Sequence, residues 1–201
     1  MLRPGIKSRP VYPGLTPDIK ARHNLIAAEG EGAAAVLDMA ATAPADFFER
    51  STLLYCPAGS AGKHYEDKLR NLKPDVLWVL PTLETAMFRL KGTLDTATMG
   101  TRLYATGPEP FIGSVLQTAI EHGIDHHSVI TEHRGSAHRR VQCVHCKGFT
   151  ENVTTNPVVC GHCGLNLLVR DHYSRRLGAF QGVCIDAEVP GEIPPTEELF
   201  K

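Results

Sequence analysis

The chain has 201 residues, 42% of them apolar, and a formal net charge of −1. That length fits one moderate domain or two small ones with real cores. The near-neutral charge excludes a broad electrostatic attraction to nucleic acid or to an anionic membrane, and no apolar run approaches the ~18–20 residues of a membrane span.

Residues 1–22 (MLRPGIKSRPVYPGLTPDIKAR) are proline-rich and basic, without periodicity. They predict an extended N-terminal arm that docks on a partner or stands as a plain tail. Four prolines and no apolar stretch within 1–17 argue against a secretory signal, so a cytoplasmic location is expected.

From His23 to residue 133, short apolar runs alternate with helical segments. Strands are predicted at 24–28 (NLIAA), 51–56 (STLLYC), 75–80 (DVLWVL), 101–106 (TRLYAT) and 128–131. The run 75–80 reads as a strand buried on both faces. Helices are predicted at 33–41, 63–72, 84–94 and 111–121, the last stopped by Gly123. This alternation predicts an α/β fold, a parallel sheet flanked by helices on both sides. Such sheets bind ligands beyond the carboxyl ends of their strands.

Residues 134–142 (RGSAHRRVQ) read as a basic linker, 143–183 as a β-rich zinc ribbon, and 184–201 as an extended acidic tail. The ribbon rests on the strongest motif in the chain: Cys143 and Cys146, then Cys160 and Cys163, with thirteen residues between the pairs. Two residues between cysteines let a tight turn direct both thiolates at one ion, and two such turns complete a tetrahedral four-sulfur site. The interval KGFTENVTTNPVV suits a hairpin. A bound zinc contributes on the order of 10–16 kcal/mol to folding such a segment. Iron in the same cage is the alternative, since a one-iron electron carrier is built that way. His145 and His162 lie inside the knuckles and are read as exposed neighbours. Cys56 and Cys184 stand apart as inert thiols.

Other features are less specific. Gly30 and Gly32 sit where a strand meets a helix, and Gly107 and Pro108 close the fourth strand. Together they form a candidate nucleotide site, because glycine there lets backbone approach a pyrophosphate. The loop lacks the full G-x-G-x-x-G, and Glu29 and Glu31 would repel phosphate. The stretch 59–63 (GSAGK) has the wrong spacing for a P-loop. Asp125, His126 and His127, with Glu132 and His133 nearby, form either a second metal site or a solvated rim. Arg134, Arg139, Arg140, Arg175 and Arg176 would serve a nucleic-acid-binding ribbon, which the overall charge disfavours. No catalytic residue is assigned.

Two resemblances add to this reading. The order of elements over 24–133, with LLYCPAG, DVLWVLP and RLYATGPEPFIGSVLQTAIEHGI, resembles the NAD(P)-binding lobe of ferredoxin-reductase-type flavoenzymes. Where that family has C-G-P near the nicotinamide, this chain has Thr106-Gly107-Pro108. Glu132 matches the acidic residue that commonly follows the last strand. Ser60 and Lys63 are the nearest candidates for its nucleotide-holding basic position. The series EHRGSAHRRVQCVHC, TTNPVVCGHCGLNLLVRDHYSRRLGAFQGV and DAEVPGEIP resembles the DmmA-like small subunit of bacterial dimethylamine monooxygenase. That resemblance implies an NADPH- and O2-dependent oxidative N-demethylase. Its expected partners are a haem subunit, a flavin and iron–sulfur reductase subunit, and a folate-binding subunit. It leaves this chain as an accessory subunit without haem, flavin or iron–sulfur motifs of its own, interacting with neither membrane nor nucleic acid.

Overall fold

The computed structural model describes residues 8–58 and 63–201, without the side chain of Lys63. The chain divides into two compact units: Tyr12–Gly135, and residues 8–11 with Ser136–Lys201. Among the described residues no helix is long and apolar enough to cross a membrane.

The first unit runs β1 (His23–Glu29), α1 (Gly32–Ala40), β2 (Ser51–Cys56), α2 (Lys63–Asn71), β3 (Val76–Val79), α3 (Leu83–Asp95), β4 (Thr101–Gly107), α4 (Glu109–Glu121) and β5 (Ile130–His133). The sheet order is β3-β2-β1-β4-β5, with every neighbouring pair parallel. Strand β1 is buried along its middle and β2 throughout, which is why both read as continuous apolar runs. Their alternate residues feed two cores. Ile26, Leu53, Tyr55 and Tyr104 pack with Val36 and Met39 of α1 and Leu69 of α2. Leu25, Leu54 and Leu103 pack with Leu90 and Leu94 of α3 and Ile112 and Val115 of α4. Helix α3 starts on a capping box. The Thr82 hydroxyl accepts from the Thr85 amide at 3.2 Å, while the Thr82 amide donates to the Thr85 hydroxyl at 3.1 Å.

Two features depart from the sequence reading. The apolar run around β3 is not a strand buried on both faces. Among the described residues it lies at the sheet edge, paired with β2 alone, with Trp78 41% exposed. The Arg89 guanidinium sits over the indole at 4.0 Å and covers one face of that ring. The segment read as an arm also divides. Residues 12–22 belong to the α/β unit. There the Gly14 amide donates to the Thr131 carbonyl at 3.1 Å, and Asp18 pairs with Arg102 at 2.7 Å.

The second unit contains β6 (Arg139–Cys143), β7 (Phe149–Val153), β8 (Thr155–Asn156), β9 (Val158–Val159), β10 (Asn166–Ser174), β11 (Ala179–Cys184) and β12 (Glu197–Glu198). The main sheet has the order β7-β6-β11-β10-β9, and β12 pairs with β8. Strand β10 alternates strictly, turning Leu167, Val169, Asp171 and Tyr173 inward. The stretch read as a linker contains most of β6, and Arg139 is 6% exposed. It pairs with buried Asp171 at 2.6 Å. Its guanidinium lies 3.9 Å from the ring centres of both Phe180 and Phe200. Phe200 therefore makes the end of the acidic tail a core element. Its amide and that of Leu199 donate to the Thr154 carbonyl, and Ala137 N–H donates to the Lys201 carbonyl at 2.7 Å.

Candidate functional site

The four knuckle cysteines converge. Their sulfurs lie within 4.8 Å of one another, with Cys143 to Cys163 at 3.8 Å and Cys146 to Cys160 at 3.7 Å. A tetrahedron with metal–sulfur bonds of about 2.3 Å has edges of about 3.8 Å. The sulfur set therefore has the dimensions of a four-coordinate metal site. Four sulfurs so close carry negative charge together only with a cation between them.

The two knuckles are built alike. Lys147 N–H donates to the Cys143 carbonyl at 2.9 Å, and Gly164 N–H to the Cys160 carbonyl at 3.1 Å. Cys143 N–H donates to Gly148, and Cys160 N–H to Leu165, at 3.0 and 2.8 Å. Each loop thus holds its cysteines on a doubly bonded backbone turn, and the Gly148 amide points at the Cys146 sulfur at 3.4 Å. Burial raises the Cys160 thiol, but the amides of Cys163 and His162 and the neighbouring thiols outweigh it and bring it to about 6. For Cys163 the Leu165 amide acts downward, while burial and the crowding sulfurs of Cys160, Cys146 and Cys143 push it up to about 12. Such a set fills all four positions of a tetrahedral ion and leaves none for water.

His162 is exposed and not among the converging ligands. Its Nε2 lies 2.8 Å from the Phe149 carbonyl oxygen. Its ring lies so close over Gly148 that a Cβ there would sit 2.5 Å away. It fastens the second knuckle to the exit of the first. This role was invisible in sequence, although a glycine two residues after Cys146 was a usable signal. Lys147 follows Cys146 as Gly164 follows Cys163, and like that glycine it takes a left-handed conformation, φ 65°.

The residues of the candidate nucleotide site meet where the strand order reverses between β1 and β4. Gly32 starts α1 against β4, where a Cβ would stand 2.3 Å from the Thr106 carbonyl oxygen. At Gly107 a Cβ would meet Glu29 at 3.1 Å. Pro108 is the N-cap of α4. Burial pushes the Glu29 carboxyl up to about 7. Glu132 accepts from the Leu15 amide at 2.7 Å and from Arg134 at 2.6 Å. Ser60 and the rest of 59–62 lie outside the described residues.

The remaining sequence candidates resolve variously. Asp125, His126 and His127 bring three ligand atoms within 4.8 Å, but Asp125 Oδ1 already accepts from the His127 amide at 2.8 Å as a turn cap. Arg134 is held by Glu132 and Asp38, Arg139 by Asp171, and Arg140 by Glu151. Cys56 is buried, and Cys184 donates to Asp186 at 3.2 Å. Neither joins the four-sulfur cluster.

Among solved structures, the chain is similar to a ferredoxin reductase in carbazole 1,9a-dioxygenase. The TM-score is 0.40 and the identity 15%, over 66% of this chain and 34% of that one. It is also similar to flavohemoglobin from Malassezia yamatoensis, with a TM-score of 0.42 and 14% identity over 58% and 32%. The heme-dependent oxidative N-demethylase delta subunit of Ectopseudomonas mendocina (strain ymp) is 34% identical over 110 residues, or 55% of this chain. The chain spans 63% of that relative's length. The family model for the N-terminal domain of the dimethylamine monooxygenase subunit DmmA-like matches residues 4–129, and that for its C-terminal domain matches 140–183. With both domains matched in order, the chain belongs to the DmmA-like family of dimethylamine monooxygenase subunits.

Proposed function

We propose that the chain is an accessory subunit of a multi-subunit, NADPH- and O2-dependent dimethylamine monooxygenase, which converts dimethylamine to methylamine and formaldehyde in the cytoplasm. The observation that carries this reading is a closed four-sulfur site, with Cys143–Cys163 and Cys146–Cys160 at tetrahedral edge lengths, in a chain of this family. A site of this kind offers no coordination position to O2, water or an amine. Zinc is the ion assigned to it. Zinc bound there would supply cross-linking free energy. The cysteines hold it, the two backbone turns aim them, and His162 keeps the turns together. The second unit then acts as a zinc ribbon that fastens this chain to the haem, the flavin and iron–sulfur reductase, and the folate-binding subunits. Haem, flavin and iron–sulfur clusters are assigned to those partners.

The test is capture of the tagged chain from its host, as wild type and as Cys146→Ser. The reading expects the partner subunits with the wild type, their loss with the variant, and no dimethylamine oxidation by the chain alone. Full complex formation by the metal-free variant would remove the fastening role. A second reading, electron transfer through iron in the same cage, is favoured by the partial exposure of Cys146 and Cys163. A coloured, redox-active chain would establish it, and a colourless zinc protein would end it.

A further inference from the structure

Three described histidines spend a ring nitrogen inside the fold. His23 lies 3.0 Å from the Thr52 hydroxyl, His122 lies 2.8 Å from the Thr118 carbonyl oxygen and 2.9 Å from Asp95, and His162 lies 2.8 Å from the Phe149 carbonyl oxygen. His126 and His127 differ. Among the described residues their ring nitrogens meet no hydroxyl, amide or backbone carbonyl; they have each other and Asp125.

These two residues open a single 3-10 turn, His126–Ser128, between α4 and β5. The turn precedes β5, so it stands at the end of the sheet opposite the strand carboxyl ends. Asp125 caps it, and Oδ1 accepts from the His127 amide at 2.8 Å. An ionised carboxyl group has about four acceptor positions, so this bond fixes how the group points and still leaves Oδ2 to an ion. His126 Nδ1 lies 3.8 Å from Oδ1. The two imidazole rings have centres 3.9 Å apart and are tilted by 39°. One donor atom from each of the three side chains thus lies within 4.8 Å of the other two. Donors on a tetrahedral ion with bonds of about 2.1 Å stand about 3.4 Å apart. Side-chain movements of about 1 Å close this set around an ion, and rotamer wells at an exposed turn are broad enough to allow them.

The local charge suits a cation. The turn follows the carboxyl end of α4, where the helix dipole is negative. Arg102 reaches the Ser128 carbonyl at 2.8 Å, but its charge is answered by Asp18 at 2.7 Å.

We propose that Asp125, His126 and His127 form a second metal site, which takes a borderline divalent cation such as zinc or nickel on two imidazoles and one carboxylate. Such donors favour this class over magnesium and calcium, which take oxygen, and over copper(I), which takes sulfur. Three protein donors leave at least one position open, so this site exchanges its ion and accepts an outside ligand, whereas four cysteines close theirs. The proposal rests neither on the subunit reading nor on which ion the four cysteines hold.

The test uses the full chain with its four-cysteine site already filled. Zn2+ is titrated by calorimetry, and Ni2+ is followed by the paramagnetic broadening of imidazole proton signals. One further Zn2+ per chain is expected, with a dissociation constant below about 100 μM. Ni2+ should broaden the His126 and His127 signals ahead of those of the other histidines. The paired variant His126→Gln/His127→Gln, checked for an unchanged circular dichroism spectrum, should bind Zn2+ about tenfold more weakly or worse. Asp125→Asn keeps a good turn cap and removes the charge, so it should weaken binding by about threefold or more. Binding weaker than about 100 μM would mean adventitious ions only and overturn the proposal, as would binding that either variant leaves unchanged or broadening that strikes another histidine first.

Discussion

Lys147 and Gly164 occupy the same place in the two knuckles, each directly after the second cysteine, and both are left-handed at φ 65° and 74°. Glycine takes that conformation freely, whereas a residue with a Cβ loses about 1 kcal/mol or more. The Lys147 ammonium donates to the Val144 carbonyl at 2.6 Å, an exposed contact that returns little of this. Lys147→Gly should stabilise the C-terminal unit by about 1 kcal/mol and slow metal release to a chromogenic chelator. Lys147→Ala keeps the strain and loses the contact, so it should not stabilise. Equal behaviour of the two variants would show that the left-handed turn is not limiting.

Gly32 and Gly92 predict opposite effects of one methyl group. At Gly32 the new carbon would meet three backbone atoms of β4, the nearest at 2.3 Å. Neither a strand inside the sheet nor a helix packed on it can yield that much. Gly32→Ala should cost about 3 kcal/mol or more. Gly92 lies inside α3 with nothing within 4 Å of its would-be Cβ. Gly92→Ala should add about 0.5–1 kcal/mol from helix propensity alone. Urea unfolding followed by the single tryptophan, Trp78, reports on this unit. A neutral Gly32→Ala would mean that α1 is not held against Thr106.

The elements visible in sequence are those whose physics is local. β1 and β2 announce themselves as buried apolar runs, α3 and α4 by apolar residues at helical spacing, and the four-cysteine cluster by its two pairs with two residues between their cysteines. What stayed hidden depends on partners far away in sequence. Nothing in DVLWVL distinguishes a central strand from an edge strand, because that depends on whether another strand lies beyond it. Arg139 sits in a basic stretch and reads as surface, yet Asp171, Phe180 and Phe200 enclose it. Phe200 is one aromatic in a proline-rich acidic tail, so no periodicity marked it as core.

The Arg139–Asp171 pair yields a further prediction. Both side chains are 7% exposed, so removing one charge strands the other away from water. Arg139→Met should cost about 3–5 kcal/mol, whereas Arg139→Met/Asp171→Leu should recover most of the loss. Phe200→Ala removes one face of the guanidinium sandwich and a buried ring, at a cost of about 3 kcal/mol. Thermal unfolding of the metal-loaded chain measures all three. A double variant no better than Arg139→Met would mean that the stranded Asp171 charge is not the cause.

Glu29 sets a pH signature for the α/β unit. Burial is the cause that raises its carboxyl from 4.5 to about 7, and no described residue gives it a hydrogen bond or an ion pair. The folded state therefore holds this proton over a range where the unfolded chain has released it. With more protons bound when folded, stability falls as pH rises. The contribution is intact below about 4.5 and lost by the time pH passes about 7. Each pKa unit corresponds to about 1.4 kcal/mol, and with solvent screening on the open side of the carboxyl the total is about 2 kcal/mol. The neighbouring Cys56 thiol is itself pushed up by burial, so it does not titrate in this window. Glu29→Gln mimics the protonated acid. It should match the wild type near pH 5 and exceed it by about 2 kcal/mol near pH 8, as read from urea midpoints across that range. A difference that stays constant with pH would show that Glu29 ionises as freely in the folded chain as in the unfolded one.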